Sequence, residues 1–354
     1  MARELSVIVP VLNEAAIVEG LFATLAAQRE TDLELIVCDG GSRDDTPALV
    51  SHSAAAFPFP VTLIGGEAGR GKQMNRGVAA SRGEALLFLH ADSGFPDPFA
   101  LRKGLDTLAA ANTARGDRNV AGHFPLRFRR STPLPSFGFY YYECKARLNR
   151  TECTFGDQGY LLLREFFERV GPFDEVLPFL EDLRLAETIR REGEWLLLPA
   201  EIHTSARRFE AEGLVERQTV NAVIMNFAAI GRERFLREIP RIYRTQDRTG
   251  PLQLASFFRA VKEEIDRLPR QERQRLWHDT GGYVQRHAWQ VPFYLDVRRN
   301  LSRGVPPGEG GTPLLDFYDL RLDRLTANRA GRFLAACLTR LWFRYVCQRS
   351  AGRK

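Results

Sequence analysis

Four short apolar runs recur through the first ninety residues, and the segments between them carry apolar side chains three or four positions apart. Residues 5–12, 33–38, 61–64 and 85–90 read as strands. Residues 14–28, with Ile17, Leu21 and Leu25 on one face, read as a helix, as do 46–56 and 72–80. The second of these opens with Thr46 as cap and Pro47 at its first position. The strands are almost continuously apolar, as expected when helices cover both faces of a parallel sheet. The predicted start is therefore a doubly wound α/β fold, in which ligands bind beyond the carboxyl ends of the strands. Asn13, Asp39, Gly65 and Asp92 all fall just after those ends.

From about residue 94 the pattern is mixed. Residues 120–128 read as a strand, 135–149 as an aromatic helix, 156–163 as a short strand, 181–191 as a helix leading into a strand at 195–198, and 214–240 as helical. After a linker at 245–251, Leu254, Phe257, Phe258, Val261, Ile265 and Leu268 lie on one helical face. Residues 303–313, rich in Gly and Pro, read as a mobile loop, and 332–349 as a last helix with Phe333, Cys337, Leu341 and Tyr345 in one stripe. No internal repeat is present. The expected organisation is a catalytic unit over 1–245 and a helical, basic extension over 251–354.

The 354 residues are 44% hydrophobic, which excludes a wholly disordered chain. No apolar run approaches the ~18 residues that span a bilayer. The first run contains a proline, leads into Asn13-Glu14 and lacks a cleavage site, so it reads as a strand and not as a signal peptide. The chain is expected to begin at residue 1 and to act in the cytoplasm. Five cysteines without a CxxC pair argue against a disulfide framework or a structural zinc site. The net charge of +6 is uneven: residues 251–354 hold 19 Lys and Arg against 10 Asp and Glu, and the remainder is slightly acidic. A basic segment of this kind suits an anionic partner, although an Arg-rich composition alone also produces one. Its Arg-flanked apolar stripes can pack on the protein's own core, form an oligomer or lie on an anionic membrane.

Three motifs carry candidate chemistry. Asp39-Gly40-Gly41-Ser42 places a carboxylate and permissive glycines where a base or ribose can approach, and is also an ordinary turn into a helix. In 69–77, GRGKQMNRG, the cations Arg70 and Lys72 stand at a helix start, which is unfavourable without an anion and so suits a diphosphate. In 86–93, LLFLHADS, His90 and Asp92 end an apolar strand and at period two would share a face. A carboxylate there suits a hard divalent ion bridging a diphosphate.

These stretches, with VIVPVLNEA (7–15), ELIVCDGGSRDDT (34–46), FGDQGYLLLREFFERVGPF (155–173), FLEDLRLAETIRREG (179–193) and LLLPAEIHTSARRF (196–209), resemble family 2 glycosyltransferases of the GT-A fold. The likeness is nearest to a bacterial subgroup with a His-Ala-Asp motif, associated with radical-SAM enzymes and selenodomains, and it fades after about residue 240. It implies a GT-A (nucleotide-diphospho-sugar transferase-like) fold: a mostly parallel sheet flanked by helices, followed by a mainly helical C-terminal extension. It implies that Pro10, Asn13, Glu14 and Asp39 line the nucleoside, with Gly41, Arg70, Lys72, Asn75 and Ala91 completing the nucleotide-sugar site. Asp92 would carry a Mn²⁺ or Mg²⁺ ion, with His203 as a second candidate ligand. His90 replaces the first acid of the family's Asp-x-Asp motif, leaving one firm carboxylate. Asp182 would be the general base with Glu181 as orienter, and Asp157 and Gln158 would sit near the acceptor. Residues 205–209 are only loosely similar to the Gln-x-x-Arg-Trp of processive polymerases, whose Gln and Trp are absent here.

The resemblance thus implies metal-dependent, inverting hexosyl transfer from a nucleoside-diphosphate sugar to a hydroxyl on a small or lipid-linked acceptor. No nucleic-acid partner is expected, and contact with the inner face of the membrane would run through the basic C-terminal region. A nucleotidyltransferase and a degenerate nucleotide-sugar-binding scaffold are the alternatives.

Overall fold

The computed structural model describes residues 3–177, 179–244 and 250–351. The first five residues of the expected 245–251 linker lie outside them. The chain forms two compact units. One comprises the chain up to Arg130 with Tyr142–Ser205, and the other Ser131–Tyr141 with the chain from Ala206 onward.

The first unit alternates β1 (Arg3–Val11), α1 (Val18–Ala26), β2 (Leu33–Asp39), α2 (Thr46–Ser53), β3 (Val61–Gly65), α3 (Arg70–Ala80), β4 (Gly83–Phe88) and α4 (Ala100–Arg115). It continues with β5 (Val120–His123) and β6 (Leu126–Arg129), then the end of α5 (Phe137–Lys145), which divides between the units at Tyr141. β7 (Tyr160–Leu163), α6 (Arg164–Val170), α7 (Glu181–Glu192), β8 (Glu194–Leu197) and β9 (Ile202–Ser205) complete it. Seven strands make one sheet in the order β3-β2-β1-β4-β7-β5-β8, parallel except where β7 runs against β4 and β5. Alternation explains why its strands read as solid apolar runs. Val7, Val9, Leu35 and Val37 enter one core, and Ile8, Ile36 and Cys38 enter the core on the other face.

Several expected elements differ. The single strand over 120–128 is two strands, because Pro125 has no N–H to continue a ladder. β5 stays in the main sheet, whereas β6 leaves it to pair in parallel with β9. The strand expected over 156–163 begins only at Tyr160, after a 3₁₀ turn at Gly156–Gln158. Thr46 does not cap α2. Asp45 is the cap residue, and the backbone N–H of Thr46 is taken by Asp44 Oδ1 at 3.1 Å. Thr46 Oγ1 instead accepts the Glu14 N–H at 2.9 Å, and the helix expected from residue 14 starts at Val18.

The second unit contains the start of α5, then α8 (Arg207–Glu212), α9 (Leu214–Ala229), α10 (Glu233–Arg244), α11 (Leu254–Arg267), α12 (Arg270–Arg286) and α13 (Gln290–Ser302). α14 (Pro313–Phe317), a π turn at Tyr318–Leu322, α15 (Asp323–Thr326) and α16 (Arg329–Ala351) end it. The helix expected over 214–240 breaks at Gly231, whose φ is 70°. The loop 303–312, expected to be mobile, is tied down: Tyr140 donates to Val305 O at 2.7 Å and Asn300 Nδ2 to Gly311 O at 3.1 Å. The buried Asp296 then accepts the N–H groups of Leu314 and Leu315 at the start of α14.

Gly281 on α12 lies close against α16: an added Cβ would sit 2.5 Å from the Arg332 carbonyl oxygen and 2.7 Å from the Ala336 Cβ. Gly281→Val is expected to destabilise this unit by about 1–3 kcal/mol through overpacking. Urea unfolding of the variant, showing no loss of stability, would mean that the α12–α16 packing is looser than described.

Candidate functional site

The site forms beyond the carboxyl ends of β1, β2 and β4. The buried Asp39 closes β2, and its Oδ2 accepts the backbone N–H of Gly41 at 2.9 Å and of Ser42 at 3.0 Å. Gly41 has φ +88°, so the turn needs glycine there. Asn13, at φ 56°, accepts the Arg43 N–H on its side-chain oxygen at 2.8 Å, and its own backbone N–H donates to Ser42 Oγ at 2.9 Å. The two loops are therefore fastened to one another before any ligand arrives. Gln73 finishes the job from α3, donating to Val11 O at 2.9 Å and Cys38 O at 2.6 Å. Sequence reasoning passed over Gln73, whose only signal was a polar residue on the inner face of a helix.

The cations at the α3 start have carboxylate partners. Arg70 Nε lies 2.7 Å from Glu181 Oε1, a carboxylate that is 2% exposed at the start of α7. Lys72 Nζ lies 2.6 Å from the exposed Glu67, a pair of little energetic weight. Asn75, placed by the resemblance in the nucleotide-sugar site, is used otherwise. Its amide donates to Phe173 O at 3.0 Å and to Glu175 Oε1 at 2.8 Å, and accepts the Phe173 N–H at 3.0 Å.

His90 and Asp92 do not share a strand face, because β4 ends at Phe88 where its pairing with Tyr160 of β7 ends. They are nonetheless brought into one electrostatic cluster with Arg70, Asp157, Tyr160, Glu181 and Asp182. Burial, with Arg70 beside it, pushes the His90 imidazole down, so it is neutral near pH 7. Burial and the neighbouring Asp182 and Asp92 push Asp157 up from 3.8 to about 7, and its buried Oδ1 has no hydrogen-bond partner. Glu181 is raised by burial against the opposing pull of Arg70. Asp182 accepts the Gly156 N–H at 2.7 Å and the Leu183 N–H at 2.8 Å, so both its oxygens are oriented by backbone.

Gln158 is spent on backbone, accepting from Phe155 N at 2.7 Å within its own turn and donating to Ala146 O, just past α5, at 2.9 Å. Ala91 is buried, and Pro10 lies within β1. His203 faces Glu201, with Nε2 to Oε2 at 3.9 Å, and the β9 side chain that reaches Asp92 is Thr204, at 3.4 Å. Arg129 donates to the Asp92 carbonyl. Tyr160, Thr204 and Arg129 were missed by sequence reasoning; only Tyr160 had a signal, in following the Gly156–Gly159 turn. Among the described residues, no group of three or more His, Cys, Asp and Glu side chains is arranged to hold a metal ion.

Comparison with known proteins agrees with this picture. Residues 6–171 match the model of the glycosyl transferase family 2. An uncharacterized glycosyltransferase of Haemophilus influenzae is 38% identical over 93 residues, 26% of this chain and 30% of that protein. A PGL/p-HBAD biosynthesis glycosyltransferase of Mycobacterium bovis is 37% identical over 89 residues, 25% of this chain and 34% of that one. The chain thus spans about a third of the length of these curated relatives. Among solved structures, the mannosyltransferase PcManGT from Pyrobaculum calidifontis, in complex with GDP-Man and Mn²⁺, gives a TM-score of 0.47 at 18% identity. That alignment covers 97% of this chain and 88% of that one. The family match covers just under half of the chain, and the mostly parallel sheet flanked by helices, with a helical C-terminal region, is the architecture expected from the resemblance.

Proposed function

We propose that this chain transfers a sugar from a nucleoside-diphosphate sugar to an acceptor hydroxyl, with inversion at the anomeric carbon. Catalysis belongs to residues 1–245, with 251–354 as an extension, in a protein of the His-Ala-Asp subgroup acting in the cytoplasm. The observation that carries this reading is the gathering of Arg70, Asp92, Asp157, Glu181 and Asp182 beyond the strand ends of a domain matched by the family.

A divalent ion would be held by Asp92, near which Asp157 carries an unpartnered buried oxygen and is raised by burial first and then by the charges of Asp182 and Asp92, a concentration of acids that suits a hard cation. Asp92 would hold Mn²⁺ or Mg²⁺, and donor phosphate oxygens and water would supply ligands that the protein does not. When bound, the ion neutralises charge on the departing diphosphate. Arg70, held in place by Glu181, orients the phosphates from the α3 start. Asp182 takes the proton of the acceptor hydroxyl as its oxygen bonds to the anomeric carbon and the bond to the diphosphate oxygen breaks. Asp39 and the Asn13 loop line the nucleoside; Oδ2 of Asp39 is filled by its two turn bonds, whereas Oδ1, which accepts only a 3.3 Å bond from Ser42 N, keeps a lone pair. Neutral His90 lowers the negative charge where the family pattern has an acid.

Thermal melting with a panel of nucleoside-diphosphate sugars, with and without Mn²⁺ or Mg²⁺, tests this. A donor at ~100 times its Kd should stabilise the protein by about 2.7 kcal/mol. One nucleotide class should do so only with metal, and Asp92→Ala should remove the effect. Slow release of nucleoside diphosphate is expected. Release of pyrophosphate from a sugar phosphate and a nucleoside triphosphate would point to a nucleotidyltransferase, and donor binding without turnover to a scaffold. No stabilisation by any donor would overturn the reading.

A further inference from the structure

The helix α16 has an unusual distribution of side chains. Its inner face is packed: Phe343 is buried, with its ring 5.5 Å from Trp277 and 6.0 Å from Phe258, and Ala336 meets Gly281 of α12. Its outer face is where charge would be expected, yet it presents large apolar groups. Leu334 is 60% exposed, Leu338 57%, Leu341 60% and Tyr345 54%, and their spacing of four, three and four residues sets them in one stripe. Phe333, 70% exposed, and Trp342, 44% exposed, extend it on either side. Exposed Arg340 and Arg344 flank the stripe. Over Arg329–Ala351 there are five arginines and no acidic residue.

We propose that α16 docks on an anionic phospholipid surface. Leu334, Leu338 and Leu341 enter the headgroup–acyl boundary, Trp342 and Tyr345 lie at headgroup level, and Arg340 and Arg344 meet lipid phosphates. The helix lies in the plane of the surface, since no described helix is long and apolar enough to cross a membrane. Charge complementarity chooses this occupant over a second copy of the chain. A two-fold pairing of α16 with itself would set arginine against arginine, with no carboxylate on the helix to relieve the repulsion. The preceding segment also exposes Phe317, Leu320 and Leu325, but it carries Asp316, Asp319 and Asp323, which places the centre of the contact on α16. This proposal stands independently of the sugar-transfer reading.

Flotation of the full chain with vesicles tests it, comparing phosphatidylcholine alone with phosphatidylcholine containing about a third phosphatidylglycerol, at low and high salt. The protein is expected to float with the anionic vesicles only, and less at high salt. Leu338→Asp with Leu341→Asp should abolish flotation. Arg340→Gln with Arg344→Gln should weaken partitioning about 30-fold, at roughly fivefold per arginine. Unchanged melting temperatures in both variants would confirm that the fold is kept, as expected for exposed positions. Absence of flotation, or undiminished flotation of the leucine variant, would overturn the proposal. So would a dimer in sedimentation that the leucine variant dissociates while vesicles capture nothing, which would assign the face to a second copy.

Discussion

Asp182→Asn is expected to lower sugar transfer by roughly 10²–10⁴-fold, the usual weight of a positioned general base, while donor binding is retained. The carboxylate is aimed by the N–H groups of Gly156 and Leu183, and an asparagine keeps its shape. An amide has only one acceptor oxygen, so one of those two donors would face an NH₂ group. A stability loss of about 1–3 kcal/mol should accompany the change. Single-turnover rates beside donor melting shifts separate the two effects. Full turnover in the variant would remove Asp182 from its role, and Asp157 would become the next candidate, because its pKa of about 7 is matched to proton transfer at neutral pH.

Asp157→Asn should have the opposite effect on stability, and one that depends on pH. The folded carboxyl is raised from 3.8 to about 7 by burial and by Asp182 and Asp92. Between those values the folded state keeps a proton that the unfolded chain has released. Its stabilising contribution is therefore complete below pH 3.8 and lost as the pH rises to about 7. Above that, the ionised group costs up to about 4 kcal/mol, a ceiling lowered by the water that reaches a half-buried side chain. Asparagine has no such loss. The variant should melt above the parent protein at pH 8, with the gap closing towards pH 4. A gap independent of pH would show that Asp157 titrates normally.

The α/β start was legible because covered parallel strands leave a strong mark: β1, β2 and β3 lie within a few residues of their expected bounds. The failures have local causes. Residues 120–128 are uniformly strand-like in composition, and only Pro125 signals the change of sheet. α12 has no counterpart among the expected elements; it carries Gly281 and Gly282 in its last turns, and Gly281 serves the approach of α16. In the site, Asp39, Arg70 and Asp92 were named from their motifs, and Asp157, Glu181 and Asp182 through the resemblance, but their pairings were not. Glu181 meets Arg70 across more than a hundred residues, and no periodicity encodes such a contact. Likewise, nothing in GRGKQMNRG distinguishes Arg70, which meets the acidic cluster, from Asn75, which faces the backbone of Phe173.

The Asn75 amide matches both backbone groups of Phe173, and Gly71 has no room for a side chain against the Asp174 carbonyl. In mechanical terms α3 and the 173–175 segment make a riveted joint. Arg70 stands at one end of that joint, and Glu181 lies a few residues beyond the other, so the joint acts as a caliper. The distance between the Arg70 guanidinium and the acids of α7 is set when the chain folds. On the proposed reading, with Arg70 on the phosphates and the acids on the acceptor, little rotational freedom would be left to be removed in each catalytic cycle.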